Sequence, residues 1–162
     1  MTTRTFQEPK IGILGGGQLG HMLILAGQKW NINFSVLDPD KDAPCSYLNG
    51  FKVGKLSDFN SVLEFGLTCD IITIEIEDVN IDALKELERR GKLIFPQPEV
   101  IELIQNKRYQ KQFYQDNHFP TADFALTENR ADVAKKTHLF PAVHKIATRG
   151  YDGRGVQIIN SQ

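Results

Sequence analysis

Cysteine is scarce in this chain: Cys45 and Cys69 are the only two among 162 residues, and they do not form a CxxC pair. That spacing gives no disulfide framework and no thiolate zinc site, and it fits two reduced thiols in a cytosolic protein. Long apolar runs are missing too. None approaches the roughly 20 residues of a membrane span, so no membrane partner is expected. The first ten residues contain no apolar h-region, so no signal peptide is expected and the expected location is cytoplasmic. Neither sign of charge dominates, with 19 Lys and Arg against 20 Asp and Glu for a net charge of −1. That balance argues against a nucleic-acid partner held by bulk charge. No repeat or low-complexity segment occurs, nor does a Walker loop, nucleophile elbow or zinc motif. His21, His118, His138 and His144 show no metal spacing.

What is present is a hydrophobic content of 41%, enough for a real core, in a chain long enough for one small domain and part of a second. Short β-branched or apolar runs predict strands over residues 10–14, 33–37, 70–77 and 93–95. Between them, helices are predicted over 18–30, 58–67 and 82–90. The first has apolar residues at helical spacing (Leu19, Met22, Leu23, Ala26, Trp30), and the last is ended by Gly91. Alternating strand and helix predicts an α/β, Rossmann-like unit with a parallel sheet covered on both faces. The pattern changes near residues 96–106. Beyond that a polar helix is predicted over 106–117, strands over 122–126 and 141–146, and a helix over 128–137. The expected division is residues 1–105, then 106–162 as the incomplete start of a second domain that is short for independent stability.

Three segments carry chemistry. Gly15, Gly16, Gly17, Gln18, Leu19 and Gly20 fit G-x-G-x-x-G directly after a strand and at the head of a helix. Glycines there let the backbone turn tightly and approach a phosphate at the positive helix terminus. Asp38 follows 18 residues after Gly20, which at face value is the dinucleotide fingerprint with Asp38 on a ribose hydroxyl. A tight turn without a ligand fits the same residues. In the second segment Glu75 and Glu77 end the third strand, and period-2 alternation puts them on one face. Ligands of open parallel sheets bind beyond the carboxyl ends of the strands, so Glu75 is expected near a ligand of the glycine turn. The third segment starts at Lys145, at the end of an apolar run. It continues through Gly150, Tyr151, Asp152, Gly153, Arg154 and Gly155 to a second apolar run over 156–159. A strand lysine beside a glycine-rich loop suits a nucleotide triphosphate.

Taken together and in this order, the Gly-Gly-Gly-Gln-Leu-Gly turn, the Thr-Ile-Glu-Ile-Glu stretch and the loop after Lys145 resemble the 5-(carboxyamino)imidazole ribonucleotide synthases of the ATP-grasp superfamily. The resemblance implies a pre-ATP-grasp domain followed by the start of an ATP-grasp domain. It implies an ATP-dependent carbon–nitrogen ligase of purine biosynthesis, which carboxylates 5-aminoimidazole ribonucleotide with bicarbonate, ATP and Mg²⁺. By resemblance Gly17, Gln18, Leu19 and Glu75 hold the ribonucleotide. Lys107, Lys145, Gly150, Tyr151, Asp152, Gly153, Arg154 and Gly155 hold ATP. The Mg²⁺ ligands and the bicarbonate site are expected outside these residues, so this chain is expected to be an inactive fragment with no metal ligands of its own. The resemblance allows a homodimer. Three departures stand out: Arg149 where a glycine is common, Val156 where glutamine is common, and His21 where arginine is common. An NAD(P)-binding oxidoreductase module and a non-catalytic nucleotide-binding module remain as alternatives.

Overall fold

The computed structural model of the protein describes residues 8–148, 150 and 155–160. The chain divides into two compact units, Met1–Ile101 and Glu102–Gln162.

The first unit is built on a parallel sheet. β1 (Lys10–Leu14), β2 (Asn33–Asp38), β3 (Phe51–Val53), β4 (Ile71–Ile74) and β5 (Leu93–Phe95) lie in the order β3-β2-β1-β4-β5. Every pairing is parallel, with Ile13 of β1 opposite Val36 on one side and Thr73 on the other. The chain therefore runs outward from β1 to β3, then returns to the far side of β1 for β4 and β5. The order reverses between β1 and β4, and that is where an open α/β sheet has its crevice.

Helices cover both faces of this sheet. Ile13 packs with Ile24 of α1 (Gln18–Gly27), Val36 and Cys45. Gly12, one residue earlier, points to the opposite face. There an added Cβ would come within 2.7 Å of Cys69 Sγ and 3.0 Å of Phe65 in α2 (Phe59–Leu67). α3 (Ile81–Arg89) lies close against α2, where a Cβ on Gly66 would sit 2.3 Å from Leu87 Cδ1. Val62, Phe65, Leu84 and Leu87 are fully or almost fully buried between these elements, each contributing roughly 1.5–3 kcal/mol of transfer free energy. Local chemistry sets the helix starts. Asp58 accepts from Ser61 N at 2.8 Å and Asn80 from Ala83 N at 2.8 Å, so each satisfies an amide that the helix leaves over. Gly91 adopts φ +82° to end α3.

The second unit holds α5 (Lys107–Asp116), α6 (Arg130–Ala134) and an antiparallel pair, β6 (Ala142–Lys145) with β7 (Val156–Ile159). α4 (Pro98–Gln105) precedes it, and the division between the units falls inside that helix. Among its described residues none is fully buried. Its apolar contacts are local, such as the cluster of Phe113, Tyr114 and Phe119 with ring centroids 6.0–6.4 Å apart.

The structure departs from the sequence expectation in several elements. β3 is an edge strand of three residues, too short to show a periodicity. α4 starts at Pro98, which reads as a strand stop but also suits the first turn of a helix. β4 ends at Ile74, so Glu75 and Glu77 lie beyond the strand. The predicted strand over 122–126 is not one of the described strands, and the predicted helix over 128–137 shortens to α6 and a 3-10 turn, Thr137–Leu139. In α1 the apolar spacing locates the helix but not its packed face. Leu19, Met22, Leu23 and Trp30 are exposed, while Gly20, Ile24 and Gly27 are buried. The two glycines let the α1 backbone come close. A Cβ on Gly20 would sit 2.5 Å from Gly15 O, and one on Gly27 2.6 Å from the Phe34 ring. Among the described residues, no helix is long and apolar enough to cross a membrane.

Candidate functional site

The glycine turn occupies the crevice at the carboxyl ends of β1 and β4. Gly15 has φ +108°, a conformation only glycine adopts without strain. An added Cβ there would meet Glu75 Oε2 at 2.5 Å. The fold itself satisfies the first two turn amides: Gly15 N donates to Leu37 O at 3.0 Å and Gly16 N to Asp38 Oδ2 at 2.6 Å. Gly17 is the N-cap of α1. It brings no side-chain cap, and the first turn of the helix has no acidic residue. The start of α1 therefore keeps both its positive partial charge and its leftover amides.

Glu75 stands across from this helix start. Its backbone N–H donates to Leu14 O at 2.9 Å, which ties it to the end of β1. A Cβ on Gly17 would be 3.9 Å from Glu75 Oε2, an ordinary van der Waals contact, so the carboxylate lies directly beside the turn. Burial first, then the charges of Asp38 and Glu77, push the Glu75 carboxyl above its ordinary range. Glu75 thus lies beside the turn that leads through Gly17 into Gln18 and Leu19. Asp38 takes a different part from the one the fingerprint suggests. Its two oxygens accept from Gly16 N and, at 2.8 Å, from Asp40 N.

Cys45 is a component the sequence did not reveal. It is fully buried beneath the turn, where its backbone N–H donates to Gly16 O at 3.1 Å and its thiol lies 4.0 Å from Gly17 O. Burial, then the charges of Asp38 and Glu75, raise its pKa and keep it a neutral thiol. Nothing in its spacing signals this position, because the long connection from β2 to β3 delivers it. His21 is half-buried, and its ring meets Tyr47 edge-on with centroids 5.6 Å apart.

A second concavity lies wholly within the second unit. It encloses about 820 Å³, and its lining includes Lys107, Lys111, Phe124, His138, Phe140 and Lys145. Asn106 caps α5 by accepting from Arg108 N at 3.0 Å, which sets Lys107 at the helix start. The Lys107 backbone N–H donates to Ala147 O at 2.8 Å, and its ammonium reaches Gly150 O at 2.5 Å. Lys145 ends β6 opposite Val156. Among the described residues neither lysine has a carboxylate partner.

Two neighbouring cations are already engaged. Arg108 holds Thr127 O at 3.0 Å and pairs with Glu128. Lys111 bonds Thr121 and lies 5.3 Å from the Phe124 ring centroid. They fasten the extended 121–128 segment to α5, which explains why it borders the cavity although no described strand pairs with it. Gly155, at φ +68°, closes the hairpin, where a Cβ would collide with Ile146 at 2.3 Å. Arg149, Tyr151, Asp152, Gly153 and Arg154 lie outside the described residues.

A family model described as the ribonucleotide synthetase preATP-grasp domain matches residues 9–105. The phosphoribosylaminoimidazole carboxylase of Ogataea methanolica is 36% identical over 160 residues, covering 94% of this chain and 29% of that protein. The N5-carboxyaminoimidazole ribonucleotide synthase of Pseudomonas aeruginosa is 34% identical, covering 93% of this chain and 42% of that protein. Among solved structures, carboxyaminoimidazole ribonucleotide synthase of Aspergillus clavatus complexed with ATP superposes with a TM-score of 0.83 at 36% identity, covering 95% of this chain and 42% of that one. The Aspergillus clavatus enzyme in complex with ADP and 5-aminoimidazole ribonucleotide gives 0.78 at 34%, covering 95% and 41%. The chain thus spans well under half the length of these relatives.

Proposed function

The chain belongs to the ribonucleotide synthetase preATP-grasp family, and from that premise we propose that its glycine turn and Glu75 bind 5-aminoimidazole ribonucleotide. The phosphate sits at the start of α1, on amides of Gly17, Gln18 and Leu19. Glu75 accepts a hydrogen bond from a sugar hydroxyl or an amino group. The observation that carries this reading is the uncapped, acid-free start of α1 with the Glu75 carboxylate beside it at the sheet's switch point. A helix start of this kind favours a phosphate. The relative solved with ADP and 5-aminoimidazole ribonucleotide supports the choice of ligand.

ATP binds the second unit in the same proposal. Lys107 and Lys145 pair with its phosphates, and Gly150, Tyr151, Asp152, Gly153, Arg154 and Gly155 form the loop around them. Two lysines on one cavity, with no carboxylate partner among the described residues, support this, as does the relative solved with ATP. In the whole protein, the γ-phosphoryl group passes to bicarbonate, releasing ADP and giving carboxyphosphate. The exocyclic amine of the ribonucleotide then takes the carboxyl carbon, directly or as released CO₂, with loss of phosphate. Among the described residues no group of three or more His, Cys, Asp or Glu is placed to hold a metal ion. The Mg²⁺ ligands are proposed to lie outside these 162 residues. Binding without turnover is proposed for the 162 residues alone. A cytoplasmic location and a homodimer belong to the same proposal, the latter checked by sedimentation equilibrium.

Isothermal titration of this chain with 5-aminoimidazole ribonucleotide, and separately with NADH, tests the site. Ribonucleotide binding without NADH binding is expected. NADH binding alone would return the turn to a dinucleotide role, although Asp38 is held by two backbone amides. ADP release that depends on the ribonucleotide would refute binding without turnover.

A further inference from the structure

We propose that Asp38 is a positioning residue of the ribonucleotide site: it withdraws the Gly16 N–H from the turn's donors, which fixes the amides left to face the ligand, and it places a second carboxylate on the turn that Glu75 also borders. This rests on reading the glycine turn as a phosphate site.

The geometry is specific. The Asp38 carboxylate is fixed from two sides, by Gly16 N at 2.6 Å and by Asp40 N at 2.8 Å. Its own carbonyl accepts from Gly54 N at 3.0 Å, and its neighbour Leu37 accepts from Gly15 N at 3.0 Å. The end of β2 therefore consumes the first two amides of the turn and leaves those at the start of α1. Gly16 is pressed against the same strand end, where a Cβ would meet Val36 Cγ1 at 3.0 Å and Asp38 Cβ at 3.1 Å. With Asp38 in place the turn is tied to the end of β2 through the Gly16 N–H. Without it, Gly16 N–H becomes a competing donor and the turn loses its tether to β2.

The carboxylate also acts at a distance. Among the described residues, Asp38 from β2 and Glu77 from the segment after β4 act on Glu75 by their charge, and Cys45 from the β2–β3 connection feels the charge of Glu75. Asp38 is the larger of the two charges that favour a protonated Glu75. A Glu75 carboxyl that keeps its proton donates as well as accepts, and it adds less repulsion toward a phosphate.

Two readouts on the ligand-free chain test the role directly. Carboxyl NMR titration should show Glu75 losing its proton at lower pH in Asp38→Asn than in the parent, because the charge is gone while an acceptor for Gly16 remains. Amide exchange at Gly16 should be roughly tenfold or more faster in Asp38→Ala, with Asp38→Asn restoring most of the protection. An unchanged Glu75 titration, or equal Gly16 exchange in parent and Asp38→Ala, would overturn the inference. Should Asp38→Ala fail to fold, Asp38→Ser serves for the exchange measurement. Ribonucleotide affinity provides the third readout, with a roughly tenfold rise in Kd for Asp38→Ala and a smaller one for Asp38→Asn. A parent chain that binds no ribonucleotide would sink the site reading, whereas the two ligand-free readouts fail only if the role given to Asp38 is wrong.

Discussion

Replacing Gly20 by alanine sets two effects of known sign against each other. Within a helix, alanine is favoured over glycine by about 0.8–1 kcal/mol. Gly20, however, lies where α1 crosses the turn that precedes it, and its new Cβ would sit 2.5 Å from Gly15 O and 3.5 Å from Gly15 C. Both are backbone atoms, so no side chain can swing aside. Relief requires the first turn of α1 to move outward by a few tenths of an ångström or more. Overpacking of this kind costs about 1–3 kcal/mol. The net expectation is a loss of about 0–2 kcal/mol, most of it from the backbone contact. The functional cost follows from the same movement, because the amides of Gln18 and Leu19 travel with the helix start. Losing one charge-assisted hydrogen bond to phosphate costs about 1.5–3 kcal/mol, or at least tenfold in Kd. Urea unfolding followed by far-ultraviolet circular dichroism gives the stability, and ribonucleotide titration gives the affinity. A Gly20→Ala chain that is more stable than the parent and binds the ribonucleotide unchanged would refute the claim that this glycine sets the helix against the turn.

In a chain extended to the length of the relatives, Lys145→Ala should chiefly impair ATP use, while Glu75→Ala should chiefly raise the ribonucleotide requirement. Each should cost on the order of 1.5–3 kcal/mol in the kcat/KM of its own substrate, and equal damage to both substrates from either change would count against the roles assigned. Stability should also depend on pH through Glu75. The folded state raises its pKa from an ordinary value near 4.5, so the native chain binds the proton more tightly than the unfolded chain does. The resulting contribution is fully present below pH 4.5 and is lost as the pH rises through the raised value. Glu75→Gln should flatten that part of the pH–stability curve, as measured by urea midpoints between pH 4 and 8, and an identical pH dependence in both chains would disprove it.

Much of the first unit was legible in local chemistry. The runs at Lys10, Asn33 and Leu93 end at glycine, Asp-Pro or proline, and Asp58 and Gly91 act at helix ends as their side chains, or lack of one, dictate. The glycine turn was legible for the same reason, since a strand followed by glycines and a helix is a local pattern. The packed side of α1 was not. Its apolar residues are at helical spacing, yet the core takes Gly20 and Gly27 because close backbone approach, rather than hydrophobicity, decides that contact. The extended 122–126 segment read as a strand, but no described strand pairs with it. Arg108 and Lys111 hold it through side chains, and no spacing rule reports such contacts.

The sequence by itself therefore determined where strands turn into helices, that a glycine turn joins β1 to α1, and that Lys145 stands beside a glycine-rich segment. Each of these depends on residues a few positions apart. Only the tertiary structure decided that Asp38 is engaged by Gly16, that Cys45 lies under the turn, and how closely Glu75, expected near the turn, packs against Gly15. Those meetings arise because β2 and β4 flank β1 in the sheet, so residues 22 to 60 positions apart are joined by strand order that no local pattern encodes.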